Sequence, residues 1–132
     1  MPTVGDVSVH ALWRPSSYVS GDFYQAVELD DDRLGILLVD AAGHGVGSAL
    51  MTIVMARAFV PFEKGTPMSP TRVLDRLNQA LLQVGAGRTR IATGIYLEID
   101  CRKGSLRYAS AGHPAPLLLR ESGAIPLDMA GR

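Results

Sequence analysis

Apolar positions fall into short alternating runs at both ends of the chain and into helical stripes in the middle. Val7, Val9, Ala11 and Trp13 alternate with Ser8, His10 and Leu12, a two-residue period that predicts a strand. Pro15, Ser16 and Ser17 break it. A second strand is expected over Asp22–Leu29. The acidic run Asp30-Asp31-Asp32 is a turn signal, and the nearly all-apolar Leu34–Val39 reads as a strand buried on both faces. Together the two segments predict a β-hairpin.

Small residues follow, Ala41-Ala42-Gly43-His44-Gly45, and then a helical pattern over Val46–Phe62. That helix is apolar nearly all round, so it should be buried, with Met51 and Met55 as core filler. Gly65-Thr66-Pro67 should end it. Ser69-Pro70 reads as an N-cap with proline in the first turn. Val73, Leu74, Leu77, Leu81 and Val84 then make one stripe, and Gly85 offers a stop. Ile91, Thr93, Ile95, Leu97 and Ile99 alternate as a strand, and Asp100–Gly104 turns the chain. Leu106 and Tyr108 mark the next strand, Gly112-His113-Pro114 breaks it, and Pro116–Arg120 is a last short one. Three strands, two helices and three strands argue for an α+β fold with antiparallel sheets.

Composition narrows the function classes. Thirteen basic residues offset thirteen acidic ones, which gives no polyanion-binding surface and argues against nucleic acid as a partner. The single cysteine, Cys101, excludes an internal disulfide and a thiolate metal cluster. The N-terminus lacks a basic region followed by an apolar run, and Ala49–Val60 is too short and too interrupted to span a bilayer. The expectation is a soluble, cytoplasmic protein of one domain over residues 1–132, with no membrane partner.

The candidate chemistry lies in the first hairpin. Asp22 and Asp40 are equidistant from Asp31, so a turn centred there sets them opposite each other on one face. Facing carboxylates repel, and they call for a shared proton or a cation between them. A hard divalent cation prefers such oxygen ligands. The plainer alternative is that Asp22 caps a turn and that Asp40 ends a strand or caps the next helix. Gly43 and Gly45 allow close backbone approach, and a helix N-terminus beyond them favours phosphate. His44 either touches substrate or orders its own loop. His113 reads as structural, His10 has no visible partner, and Trp13 reads as core. The histidines have no zinc-ligand spacing. Neither Ser20 nor Ser48 has a base in its sequence context, so neither reads as a nucleophile.

Ser20-Gly21-Asp22-Phe23-Tyr24 and Asp40-Ala41-Ala42-Gly43-His44-Gly45 together resemble the paired signature of the SpoIIE-type branch of the metal-dependent (type 2C) protein serine/threonine phosphatases. Leu106–Pro116, with Ser110-Ala111-Gly112-His113-Pro114, is similar to that branch's later strand-turn-strand segment. Leu74–Leu82 with Asn78 resembles its second helix. The resemblance implies two antiparallel sheets packed as a sandwich with helices outside, and two Mn²⁺ or Mg²⁺ ions between the sheets. It implies Asp22 and Asp40 as metal ligands, Asp40 bridging, with the backbone carbonyl of Ala41 as a third. The implied reaction is hydrolysis of phosphoserine or phosphothreonine by metal-activated water. Its implied substrate is a bacterial signalling protein of the anti-sigma-factor antagonist (STAS) type. The family pattern continues with an Asp-Gly pair and a late aspartate. This sequence closes at Gly131-Arg132, and Asp128 is not in a ligand position, so the resemblance implies a truncated domain. The alternative expectation is a non-catalytic relative that binds a signalling partner or dimerises through an open sheet edge.

Overall fold

A computed structural model describes residues 2–14, 20–43, 45–84 and 91–127. Pro15–Ser17, His44, Gly85 and Asp128 therefore lie outside the described residues, as does the side chain of Val84. The elements are β1 (Thr3–Val4), β2 (Val7–Ser8), β3 (Asp22–Asp30), β4 (Arg33–Ala41), α1 (Val46–Ala58), β5 (Phe62–Glu63), β6 (Thr66–Pro67), α2 (Pro70–Val84), β7 (Ala92–Asp100), β8 (Ser105–Ala111), β9 (Leu117–Arg120) and β10 (Gly123–Pro126). The class is α+β with antiparallel sheets, as expected. One four-stranded sheet runs in the order β3-β4-β7-β8, and the other strands form three two-stranded ladders. No helix among the described residues is long and apolar enough to cross a membrane.

The hairpin β3–β4 sets the frame. Asp30 Oδ1 accepts from the Asp32 amide at 3.1 Å, and Asp30 Oδ2 accepts from Arg33 Nε and Nη2 at 2.8 and 2.6 Å. These bonds close the turn. The register shifts between Glu28 and Asp30, while Asp22 to Glu28 pair without a slip against Asp40 to Leu34. β7 continues the sheet from β4 with Ala41↔Ala92 through Arg33↔Asp100.

One face of this sheet carries the helices. Leu37, Val39 and Ala41 of β4 and Tyr96 of β7 pack with Met51, Met55 and Phe59 from α1 and its end, and with Val73, Leu77 and Leu81 of α2. Phe59 meets Tyr96 edge to face at 5.8 Å between ring centroids, a pair worth about 0.5–1.5 kcal/mol beyond its buried area. Ser69 caps α2 as expected, its carbonyl accepting the first helical bond from Val73 N at 3.1 Å.

Four expectations are corrected. The first strand stops at Ser8 rather than reaching Trp13: among the described residues Val9–Arg14 pair with no strand, and they line a cleft on the other face of the sheet. Helix α1 ends at Ala58, not Phe62, because the ring of Pro61 disfavours helical backbone at Val60. Phe59 is already extended there, and the following residues fold back as the β5–β6 hairpin around Lys64 and Gly65, both at positive φ. Helix α1 is also buried on one side only. Met51 and Met55 face the core, whereas Leu50 and Ile53 are 57% and 58% exposed. Finally, β4 is not buried on both faces: Leu38 is 37% exposed and lines the cleft. The last short strand is present over Leu117–Arg120 as expected, and it pairs with β10.

Candidate active site

The described residues bring Asp22 and Asp40 together. They are register partners at the open end of the β3–β4 ladder and point to the sheet face opposite the helices. Residues so paired have Cβ atoms about 4.5–5.5 Å apart. Both residues are exposed. Asp22 is steadied locally: Ser20 Oγ donates to Asp22 Oδ2 at 3.0 Å and accepts from the Asp22 amide at 3.1 Å. Neither carboxylate has a cationic partner among the described residues.

Backbone packing fixes where the two strands meet. The Ala41 amide donates to Gly21 O at 2.9 Å, and the Ala42 amide donates to Ile91 O at 2.8 Å. Ala41 is buried. A Cβ at Gly21 would overlap the Ala41 carbonyl oxygen and touch Ser48 Cβ, so only glycine lets β3 lie this close to the end of β4. Gly43 and Gly45 both take positive φ, as a sharp strand-to-helix turn requires. Gly45 caps α1 without a side-chain bond, and its carbonyl accepts from Ser48 Oγ at 3.0 Å. His44 falls outside the described residues.

A cleft of about 710 Å³ opens over the acidic pair. Its lining includes Asp22, Asp40, Tyr24, Trp13, Arg14 and His113. Trp13 is thus not core: it is 43% exposed and leans on Tyr24 at a 5.5 Å ring separation. His10, which the sequence left unpartnered, sits 3.1 Å from Ser8 Oγ through Nε2. Sequence reasoning placed Thr93 on a strand but gave it no role at the site. It is the β7 register partner of Asp40, and its Oγ1 lies 3.0 Å from His113 Nδ1. The signal was present in its place on the alternating strand, but only the β4–β7 register reveals what it faces.

The donor set beside the cleft is oxygen-rich. It consists of two carboxylates on one face; Ala41, the next residue along, is buried, and its carbonyl oxygen packs against Gly21. The described residues hold no group of three or more His, Cys, Asp or Glu side chains that could bind a metal. Two carboxylates suit a cation that keeps waters and takes substrate phosphate oxygens in its remaining positions, as Mg²⁺ does. The residues present therefore fit a hard divalent ion in kind.

The family model described as "Stage II sporulation protein E (SpoIIE)" matches residues 30–131. Over 125 residues, 92% of its length, the chain is 36% identical to "Phosphoserine phosphatase RsbP" of Bacillus subtilis, of which it spans 31%. Among solved structures it resembles the SiaA-PP2C domain of Pseudomonas aeruginosa at 33% identity and a TM-score of 0.67, over 76% of this chain and 41% of that one. It also resembles the structure of the RsbU and RsbW domains of Rv1364c from Mycobacterium tuberculosis, at 25% identity and a TM-score of 0.71, over 86% of this chain and 31% of that one. The chain thus spans about a third of the length of that curated relative.

Proposed function

The chain belongs to the SpoIIE family, and on that footing we propose that it is a metal-dependent protein serine/threonine phosphatase unit whose metal ligands are Asp22, Asp40 and the Ala41 carbonyl. The observation that carries this reading is the facing of Asp22 and Asp40. Two exposed like charges held opposite each other destabilise a ladder, and a divalent cation turns that repulsion into coordination. Mn²⁺ or Mg²⁺, when bound, supplies a Lewis acid for the phosphoryl oxygens and lowers the pKa of water.

The chain's own residues do the rest. Ser20 orients the Asp22 carboxylate. Gly21 holds β3 against the end of β4. The segment from Gly43 to Gly45, with His44 between them in sequence, leads into the start of α1, whose backbone amides suit a phosphate group. The apolar floor of the cleft, with Trp13 and Tyr24, receives the polypeptide that carries the phosphoresidue. The substrate class we favour is a phosphoserine or phosphothreonine on a bacterial signalling protein such as a STAS domain. The likeness to a named phosphoserine phosphatase supports this choice.

The test is Mn²⁺-dependent phosphate release from a phosphorylated protein and from an aryl phosphate. Wild-type turnover should rise with Mn²⁺, and Asp40→Asn should lower it by about a hundredfold or more, as expected when a charge-stabilising group is lost. Activity that survives Asp40→Asn overturns the ligand assignment. Inactivity at every Mn²⁺ concentration favours a partner-binding module instead.

A further inference from the structure

Resting on the phosphatase reading of this site, we infer that His113 is a substrate-contacting residue, with Nε2 donating to a phosphoryl oxygen while Thr93 fixes the ring. The placement comes from the sheet. Asp22, Asp40 and Thr93 are successive register partners across β3, β4 and β7, so they form one row on one face. His113 Nδ1 lies 3.0 Å from Thr93 Oγ1 and extends that row by one residue. The imidazole also lines the same cleft as the two carboxylates.

A purely structural role would leave the ring closing its own turn, but that turn is closed without it. Ser110 Oγ donates to His113 O at 3.3 Å and accepts from His113 N at 3.2 Å. Gly112 takes positive φ and bridges Gly94 in parallel. The backbone is thus held from two sides, and the ring is free for another task. With Nδ1 engaged by Thr93, the nitrogen left for a ligand is Nε2. When the Thr93 hydroxyl donates to Nδ1, the neutral ring carries its proton on Nε2; when the ring is protonated, both nitrogens donate.

The chemistry of the cleft calls for such a donor. A phosphomonoester brought next to Asp22 and Asp40 meets negative charge on two strands. The other described side chains there that can offset it are Arg14 and His10. Both belong to the Val9–Arg14 segment, which pairs with no strand among the described residues. His113 alone among them is tethered to the sheet that bears the carboxylates.

Two amide substitutions separate contact from scaffolding. The side-chain amide introduced by His113→Asn reaches about as far as Nδ1 and keeps the Thr93 bond while losing the outer arm. The longer amide of His113→Gln reaches about as far as Nε2 and does the reverse. Mn²⁺ binding is read from the electron-spin-resonance signal of the free ion. Inorganic phosphate affinity is then read by calorimetry with Mn²⁺ present, and kcat and KM with an aryl phosphate. We expect both variants to bind Mn²⁺ as the wild type does. His113→Asn should weaken phosphate binding about tenfold or more, the loss typical of a hydrogen bond to a charged group. His113→Gln should stay within about threefold. In the wild type, inorganic phosphate should shift the His113 ring resonances more than those of His10, a readout that needs no variant to fold.

Wild-type phosphate affinity in His113→Asn, or a larger loss in His113→Gln than in His113→Asn, overturns the inference. So does a His113 resonance that ignores phosphate. Wild-type protein that binds Mn²⁺ but not phosphate sinks this inference and leaves the metal assignment standing. Phosphate binding that depends on His113 without any Mn²⁺ binding sinks the metal assignment and leaves the contact standing.

Discussion

The two ends of the β3–β4 ladder hold acidic residues in opposite circumstances. At the turn end the carboxylates that brace the sheet are matched. Asp30 is bonded to Arg33, and Glu98, only 3% exposed, takes Arg107 Nη2 at 2.6 Å and Arg33 Nη1 at 3.3 Å on one oxygen. Asp100 accepts from the Lys103 amide at 2.8 Å and lies 3.1 Å from Lys103 Nζ. At the open end Asp22 and Asp40 face each other with no cation among the described residues. The turn end uses charge to hold strands in register. The open end accepts repulsion, and exposure to water keeps that cost small. On the proposed reading, a bound cation compensates at the open end what arginine and lysine compensate at the turn end.

The largest effect should come from stripping the matched end. Arg33→Met with Arg107→Met leaves the Glu98 carboxylate buried without a cation. Unfolding in urea should show a loss of about 3–5 kcal/mol. A much smaller loss would mean the turn end is no more dependent on pairing than the open one.

A smaller effect of the opposite sign is expected at Tyr96. Its hydroxyl is buried over Gly35 and has no hydrogen-bond partner among the described residues, and burial together with the Glu98 charge raises its pKa. Tyr96→Phe should be neutral or stabilising by about 1 kcal/mol, measured the same way, since it removes an unsatisfied polar group.

At the open end, Asp40→Asn should stabilise the metal-free protein at neutral pH by about 0.2–1 kcal/mol. It should abolish the stabilisation that Mn²⁺ gives the wild type, which thermal melts with and without Mn²⁺ will show. A destabilised Asp40→Asn protein would remove the contrast between the two ends.

The last effect concerns acid. Hydrogen bonds from Arg33 hold Asp30 below the usual carboxylate range, and the amide and ammonium of Lys103 do the same for Asp100. Groups whose folded pKa is depressed stabilise the fold above the unfolded value, near pH 3.9, and that contribution is lost as pH falls through the folded value. Urea midpoints should therefore drop below about pH 4, and Arg33→Met should make the drop shallower.

Much of this was legible in the chain because local chemistry agrees with the fold. The Asp30–Asp32 run marked the hairpin, but the turn pairs Asp30 with Arg33, a register that, carried along the ladder, would set Asp22 opposite Ala41. Asp22 faces Asp40 because the register shifts between Glu28 and Asp30, an irregularity the sequence did not show. Helix α2 shows one clean stripe, and it packs as that stripe implies. Helix α1 misled, because an all-apolar helix says nothing about which side meets the sheet. β7 misled in another way. Its apolar alternation, Ile91 to Ile99, drew attention to one face, yet the helices pack on the other, through Tyr96. Glu98 was invisible for the same reason: an acidic residue between apolar neighbours reads as solvent-facing, and only the two arginines brought in by register make its burial tolerable. The cleft could not be read at all, because Val9–Arg14 and the His113 turn meet there from distant parts of the chain.

Gly21 gives the site an unusual vulnerability. It contributes no side-chain donor, acceptor or charge, yet an added methyl group would meet the Ala41 carbonyl oxygen. Gly21→Ala would therefore push β3 away from β4 beside both carboxylates, while leaving each of them chemically intact. In a search for inactivating variants, the most economical lesion would fall on the residue with no side chain. Sorting such variants by the chemistry of the lost group would file it as harmless.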